Sequence, residues 1–549
     1  MNVDQFYGIE LEEFPARIAE VALWMTDHIA NNRLSLAFGR AYARIPLRTS
    51  PHIVHGDALE IDWSDVLLAE RCAYVLGNPP FIGAKYQSAK QREQVRRIAG
   101  LGGAGGTLDY VAAWFLKAGA YAATTAAAPR GIGFVATNSI TQGEQVAQLW
   151  PLLFDRYGLE IAFAHRTFAW GSDARGVAHV HVVIVGLARR GREPESKRLF
   201  SYDDIEGDPV ESLHPALTAY LFGAEGIADP RLVVREESRS INAAPRLVIG
   251  SKPIDGGWLI FSDDERGVLL RSEPGADAFL RRYIGGQDYI SGGGRWIVAA
   301  QKASPSDLKQ SPGVVERIRA VREFRQGLRP ARGKSPEATR APGMSSRALA
   351  DTPTEFHVTV IPNQPFLAIP EVSSQRREYV PIGWLYPPII SSNKLRIILN
   401  ATLTQFGVLT SAMHMSWLRQ IGGRLKSDYQ YGIGVVYNTF PWPEANSAAR
   451  QRVGALAQAV LDARAAHPGA TLADLYDPDL MPADLRKAHR ALDAAVDRLY
   501  RPAPFGSDRE RVEHLFGLYE RLTAGLIAGA EKPRRRRRVA SRLPRPQTS

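Results

Sequence analysis

From Met1 to about Arg190, short apolar runs alternate with helical stretches, and that rhythm restricts the chain to a mostly parallel sheet with crossover helices. "QFYGIEL" reads as a strand, "EEFPARIAEVALWMTDHIANN" as a helix, and "PHIVHGDAL" and "AYVLGNPP" as strands. "LDYVAAWFLKAGAYA" then reads as an amphipathic helix, "GIGFVATNS" as a strand, "GEQVAQLWPLLFDRY" as a helix, and "EIAFAHRTF" and "AHVHVVIVGL" as the last two strands. The expected fold is α/β, a doubly wound sheet.

Past Arg190 the rhythm breaks. Gly, Pro and aromatic residues crowd short β-like runs up to about Pro443, with one helix-rich basic insert, which predicts a second domain of mixed α/β character. From Ala445 to about Ala530 the pattern is helical again. The expected division is residues 1–195, 196–443 and a helical cap at 444–530, followed by a basic, disordered tail at 531–549.

The 549 residues, 45% hydrophobic and 23% charged, suit two to four globular domains. A single cysteine, Cys72, excludes a disulfide framework and a Cys-based zinc cluster and fits a reducing compartment. Acids interrupt the N-terminus and no apolar run reaches the roughly 18 to 20 residues of a membrane span, so a cytoplasmic location and no membrane partner are expected. The formal charge of +11 points to a polyanion, but the last 19 residues hold eight Lys and Arg against one Glu, leaving about +4 on the body.

Within the first domain, "YVLGNPPFIGAKY" places Asn78-Pro79-Pro80-Phe81 just beyond a strand, at the end of a parallel sheet where ligands bind. The two prolines stiffen the backbone and remove two N–H donors, leaving carbonyl acceptors without competition. An exocyclic amine could donate to the Asn78 side-chain oxygen and to the Pro79 carbonyl, which frees its lone pair for an electrophilic methyl. Phe81 offers a face for an extruded base, a contact worth roughly 1 to 3 kcal/mol. Alone, N-P-P is more simply a Pro-rich turn with an Asn helix cap.

The order Glu10, Asp57, Asn78-Pro79-Pro80-Phe81, Asp109-Tyr110 resembles the adenine-N6 DNA methyltransferases that use S-adenosylmethionine. The longer phrases "DYVAAWFLKAGAY", "TNSITQGEQVAQLWPLLF", "GSKPIDGG" and "GRLKSDYQYGIGVVYNTFPWP" are similar to the MmeI-like restriction-modification branch over essentially residues 1–525. The resemblance implies a class I methyltransferase-like sheet, a target-recognition domain and a C-terminal helical segment. It implies that Glu10 binds the cofactor's ribose hydroxyls and Asp57 its adenine amine, with Asn78 between cofactor and substrate. Phe81 with Trp170 or Phe168, Trp170 being favoured, would sandwich a flipped adenine.

Double-stranded DNA is the expected partner. Arg295, Arg329, Arg332, Arg424 and Lys426 stand among aromatics and glycines, the mixture that anchors phosphates and contacts guanine, and each alternatively reads as a solvated cation. "RLKSDYQYG" is the preferred DNA-facing segment. No metal site is expected, since His179 and His181 read as strand histidines. Asn138 reads as structural, and Cys72 as a core residue on the strand before Asn78, which argues against C5-cytosine chemistry.

In the resembling family a first strand lies between those ending in Glu10 and Asn78 and carries a Gly-rich cofactor loop. Both would fall before Met1, because "GLGGAGG" follows a polar helix rather than a strand. Two unpaired interior edges and half a cofactor pocket are therefore expected, from a late start site, a split gene or a decaying remnant. A missing N-terminal fragment or nuclease subunit would be a partner. The competing readings are an inert DNA-binding remnant and an RNA or protein-glutamine methyltransferase.

Overall fold

The computed structural model describes residues 3–39, 49–102, 107–125, 129–170, 180–242, 244–425 and 427–530. Lys426, His179, most of the "GLGGAGG" run and the tail at 531–549 lie outside the described residues.

The first strand, β1 (Tyr7–Glu10), leads into α1 (Glu13–Phe38), which ends where Gly39 adopts a left-handed conformation and returns its N–H to the Ser35 carbonyl. The chain then forms β2 (His52–His55), parallel to β1 with Glu10 opposite His55. A short helix α2 (Trp63–Val66) precedes β3 (Tyr74–Gly77). After β3 come α3 (Ala89–Ala99), opened by a Ser88/Gln91 capping box, and α4 (Ala112–Ala123). Next are β4 (Gly131–Thr137), α5 (Glu144–Pro151), β5 (Leu159–Trp170) and β6 (Val180–Arg189). Pro151 ends α5 in a single wide turn, Leu152–Arg156.

These strands do not form one sheet. Among the described residues β1 pairs only with β2, and β3 pairs only with β4, so a two-stranded sheet stands apart from a larger one. The larger sheet does not end at residue 195 with "AHVHVVIVGL". It continues through β7 (Lys197–Ser201) and β8 (Val210–His214) in the order β3-β4-β6-β5-β7-β8. The Gly and Pro content past Arg190 hides them: β7 is parallel to β5 and antiparallel to β8, and pairing on both sides is what stabilises so short a run. β6 runs antiparallel between β4 and β5, so β4 and β5 both present their far ends beside it.

One hydrophobic core joins the larger sheet, part of the second domain and the C-terminal helices. Trp417 meets Phe516 at a 5.4 Å ring separation, and Phe516 also packs on Tyr220 and Phe222. The helices Ser447–Ala465, Ala483–Tyr500 and Asp508–Ala530 are thus part of the central packing. The basic insert, whose main helix is Pro312–Gln326, packs on a separate core around Leu259, Phe261 and Ile297. Among the described residues no helix is long and apolar enough to cross a membrane.

Candidate functional site

The Asn78-Pro79-Pro80-Phe81 peptide leaves the end of β3 at Gly77, where an added Cβ would come 3.1 Å from the Phe134 ring. Asn78 is exposed, Pro79 buried and Phe81 half-buried, and the Asn78 side chain hydrogen-bonds to no described residue. Its amide is free to accept and donate. The following residues are stitched down instead. The Ala84 N–H donates to Asp109 Oδ1 at 2.8 Å, the Tyr110 N–H to the Ile82 carbonyl at 2.9 Å, and Gln87 Nε2 to the Leu108 carbonyl at 2.8 Å.

Asp109 is the centre of that stitching. Its Oδ2 accepts from Ser139 Oγ at 2.5 Å, and its own N–H donates to Gln145 Oε1 at 2.9 Å. One buried residue therefore ties the loop after Phe81 to the turn that follows β4 through its carboxylate and to α5 through its backbone N–H. Asn138, the residue singled out in "ATNSITQG", only opens that turn; Ser139, one position on, makes the contact.

A second chain of bonds joins this loop to the β2 end. Tyr110 Oη donates to Gln94 Oε1 at 2.7 Å, and Gln94 Nε2 donates to Asp57 Oδ2 at 2.9 Å and to Glu60 Oε1 at 2.7 Å. Carboxylates only accept, so the amide orientation is forced and both of its hydrogens are used. Burial, with the charges of Asp57 and Glu60 nearby, pushes the Tyr110 hydroxyl up to about 12, which keeps it a donor at neutral pH. Hydrogen bonds from Gln94 and Arg97 hold the Glu60 carboxyl below its ordinary range. Gln94 carried no sequence signal, lying in a polar helix 37 residues from Asp57.

Glu10 and Asp57 lie at the same end of the two-stranded sheet. The Gly56 N–H donates to the Glu10 carbonyl at 2.8 Å, so both acids stand at one end of the parallel pair. Asp57 Oδ1 accepts from the Leu59 N–H at 2.9 Å, Lys90 Nζ lies 3.7 Å from Oδ2, and Glu10 Oε1 is lightly engaged by the Glu12 N–H at 3.3 Å. Each carboxylate thus keeps unused lone pairs, an acceptor set that fits a diol and an amine, the groups at the ends of an adenosine.

The aromatics divide. Phe168 stacks on Tyr202 at 5.0 Å, within a cluster where His165 stacks on Phe200 at 4.2 Å and bonds Tyr202 Oη at 2.8 Å. Among the described residues the Trp170 ring stacks edge-on with Phe168 alone and is 38% exposed, the freer ring of the two, and Phe81 shares no ring contact with either. Cys72 is not on the strand: it follows the turn Ala69–Arg71 and is only partly buried, with burial raising its thiol. Among the described residues no cluster of His, Cys, Asp and Glu is arranged to hold a metal.

The candidate DNA-facing cations are mostly spoken for. Arg329 lies over the Trp258 ring at 4.3 Å and pairs with Glu316 and Glu323. Arg332 donates to the Ile260 carbonyl and pairs closely with Glu265, and Arg295 reaches Asp288 at 3.2 Å. Arg424 stacks on Tyr429 at 3.9 Å within the hairpin Gly423–Leu425 and Asp428–Gln430. That hairpin, part of "RLKSDYQYG", touches the first domain: the Gly143 N–H donates to the Ile421 carbonyl at 3.1 Å, and a Cβ on Gly143 would come 3.0 Å from Gly423 Cα.

Residues 1–201 match the family model described as MmeI, DNA-methyltransferase domain; residues 228–444 match the MmeI target recognition domain, and 445–527 the MmeI C-terminal domain. DNA methyltransferase A of Bacillus subtilis (strain 168) is 34% identical over 526 residues, which is 95% of this chain and 56% of that protein. A solved structure of the type IIL restriction-modification enzyme MmeI in complex with DNA is 40% identical with a TM-score of 0.83, covering 95% of this chain and 67% of that one. The chain thus spans little more than half of the curated relative it matches. With three consecutive domain models in family order and one superposable architecture, the chain belongs to the MmeI family.

Proposed function

We propose that this chain is the methyltransferase, target-recognition and C-terminal part of a site-specific adenine-N6 DNA methyltransferase in a restriction-modification system. The observation that carries the reading is the exposed, unpartnered Asn78 amide on a loop locked from behind by Asp109 and Tyr110. Such a loop is preorganised: the acceptor is open, and its scaffold cannot yield when a base presses on it.

In this reading Asn78 Oδ1 and the Pro79 carbonyl accept the two hydrogens of the adenine amine, and Phe81 takes the base face with Trp170 as the second ring. Glu10 and Asp57 would hold S-adenosylmethionine, which supplies an electrophilic methyl group when bound. Gln94 and Tyr110 keep the Asp57 carboxylate in register with the acceptor loop. The hairpin at 423–430, seated on Gly143, would bring the recognition domain to the same end of the sheet. The catalytic domain then runs to His214, recognition to 443 and the helical domain to 530.

The test is transfer of labelled methyl from S-adenosylmethionine to mixed-sequence duplex DNA, followed by nucleoside separation. Label in N6-methyldeoxyadenosine, abolished by Asn78→Ala, is the expected result. Label in cytosine, or full activity of Asn78→Ala, would refute it. A second reading, DNA binding without catalysis, is favoured by the separation of β1–β2 from β3–β8. It predicts DNA retention with no S-adenosylmethionine binding in equilibrium dialysis.

A further inference from the structure

Helix α5 stands between the acceptor loop and the recognition domain and holds each by a different kind of contact. Gln145 and Gln148, three residues apart and so on one side of the helix, both reach the segment Thr107–Tyr110. Gln145 Oε1 accepts from the Asp109 N–H at 2.9 Å, and Gln148 Oε1 accepts from Thr107 Oγ1 at 2.7 Å. That segment in turn carries the loop after Phe81: Asp109 Oδ1 holds the Ala84 N–H, and the Tyr110 N–H holds the Ile82 carbonyl. Residues 107–110 are thus clamped between α5 and the acceptor loop.

At its N-terminus α5 meets the recognition hairpin backbone to backbone. The Gly143 N–H donates to the Ile421 carbonyl, and Gly143 packs on Gly423 with no room for a Cβ between them. Side chains absorb a small displacement by changing rotamer, and two glycine backbones have none to change. Further along, the helix cannot give: Val146, Leu149 and Trp150 are fully buried, and Trp150 Nε1 donates to the Ile140 carbonyl at 2.7 Å. A shift of the hairpin is therefore taken up by the first turn of α5. Gln145 stands in that turn, two residues past Gly143.

We propose that Gln145 is a positioning residue that couples seating of the recognition hairpin on DNA to ordering of the acceptor loop. DNA held by the hairpin strands Gly423–Leu425 and Asp428–Gln430 fixes the first turn of α5. Gln145 then fixes the Asp109 backbone, and Asp109 fixes Ala84 and the loop that carries Asn78. A duplex that seats the hairpin poorly leaves that loop loose, so sequence is read in the transfer rate as well as in affinity. The coupling rests on the reading of the hairpin as DNA-facing and of Asn78 as the amine acceptor. Gln145 itself acts only through Asp109.

The test follows amide exchange of the full chain with and without mixed-sequence duplex DNA, beside DNA affinity and single-turnover methyl transfer. DNA should slow exchange in the two hairpin strands and at 82–86 together. Gln145→Met, close in size but with no oxygen for the Asp109 N–H, should keep the slowing in the hairpin and the DNA Kd while losing the slowing at 82–86. Its transfer rate should fall about three- to tenfold, the worth of one hydrogen bond. Gly143→Ala, which breaks the contact from the hairpin side, should lose the same slowing at 82–86. Slowing at 82–86 that survives both variants would show direct DNA contact and overturn the coupling. So would a hairpin that slows with no change at 82–86, or a parallel loss of DNA affinity and transfer in Gln145→Met; either leaves the DNA-facing reading intact. No slowing in the hairpin strands would refute that reading and the coupling with it. The exchange readout needs no catalysis, so absence of methyl transfer counts against the acceptor reading while exchange still decides the coupling.

Discussion

Two helices of the first domain show how differently one chain can treat apolar residues. In α4, eight of 12 residues are buried, with Phe115 on Phe134 at 5.0 Å and Tyr121 Oη donating to the Leu67 carbonyl. In α1, Ala16 alone of 26 is buried, although its apolar residues are no fewer. The sequence of α1 is that of a packed helix. Among the described residues nothing covers its second side, and the sheet beneath it has two strands. Burial is therefore a property of the assembly around a helix, and the exposed Phe14, Ile18 and Met25 mark where that assembly is open.

The comparison can be broken by mutation. The largest effect belongs to the shared core: Trp417→Ala, removing a fully buried ring between Phe516 and Tyr519, should cost about 3–5 kcal/mol in urea unfolding. Next comes a pH effect in the same region. Burial raises the Asp493 carboxyl to about 6, with Asp497 adding to the rise, against hydrogen bonds from Tyr379 Oη and the Ala412 N–H and the nearby Arg511. The unfolded carboxyl titrates near about 4, so the folded chain holds the extra proton between roughly pH 4 and 6. This contribution therefore falls as pH rises through that window, by on the order of 2–3 kcal/mol, and Asp493→Asn should flatten it.

At the joint between the regions, Asp109→Ala strands the Ala84 N–H and leaves the Ser139 hydroxyl only its contact with Thr137 Oγ1. It should cost about 1–3 kcal/mol and speed amide exchange at 82–86. Gly143→Ala, at a φ of 62° and with a Cβ meeting Gly423, should cost about 1–2 kcal/mol and loosen the recognition hairpin in limited proteolysis. The smallest effect is the sharpest contrast. Phe14→Ala or Ile18→Ala should move the lone chain by no more than about 0.5 kcal/mol, and a loss comparable to that of Trp417→Ala would mean that α1 is packed after all.

Strands β1 to β6 and helices α1, α3, α4 and α5 were legible because their signals are local: apolar periodicity, a capping box, a proline, a glycine past a helix end. The acceptor loop was legible because Asn78-Pro79-Pro80-Phe81 is contiguous and sits at a strand end. The placement of Glu10 and Asp57 was legible for the same reason, since Glu10 closes β1 and Asp57 lies two residues past β2.

Gln94, Ser139 and Gln145 were not, because each acts on a partner more than 29 residues away, and nothing in a polar helix or a turn announces such a partner. Nor could the sequence tell a cation awaiting phosphate from Arg329 or Arg332, which are held by Glu316, Glu323 and Glu265. By itself the sequence determined the alternation, the stiff Asn78-Pro79-Pro80-Phe81 loop at a strand end and the three-part order, all of which follow from short-range propensity and chain-local chemistry. Only the tertiary structure decided that β7 and β8 extend the sheet, that Asp57 and the acceptor loop are coupled through Gln94 and Tyr110, and that one face of α1 stands open. Each depends on which surfaces meet across long stretches of chain.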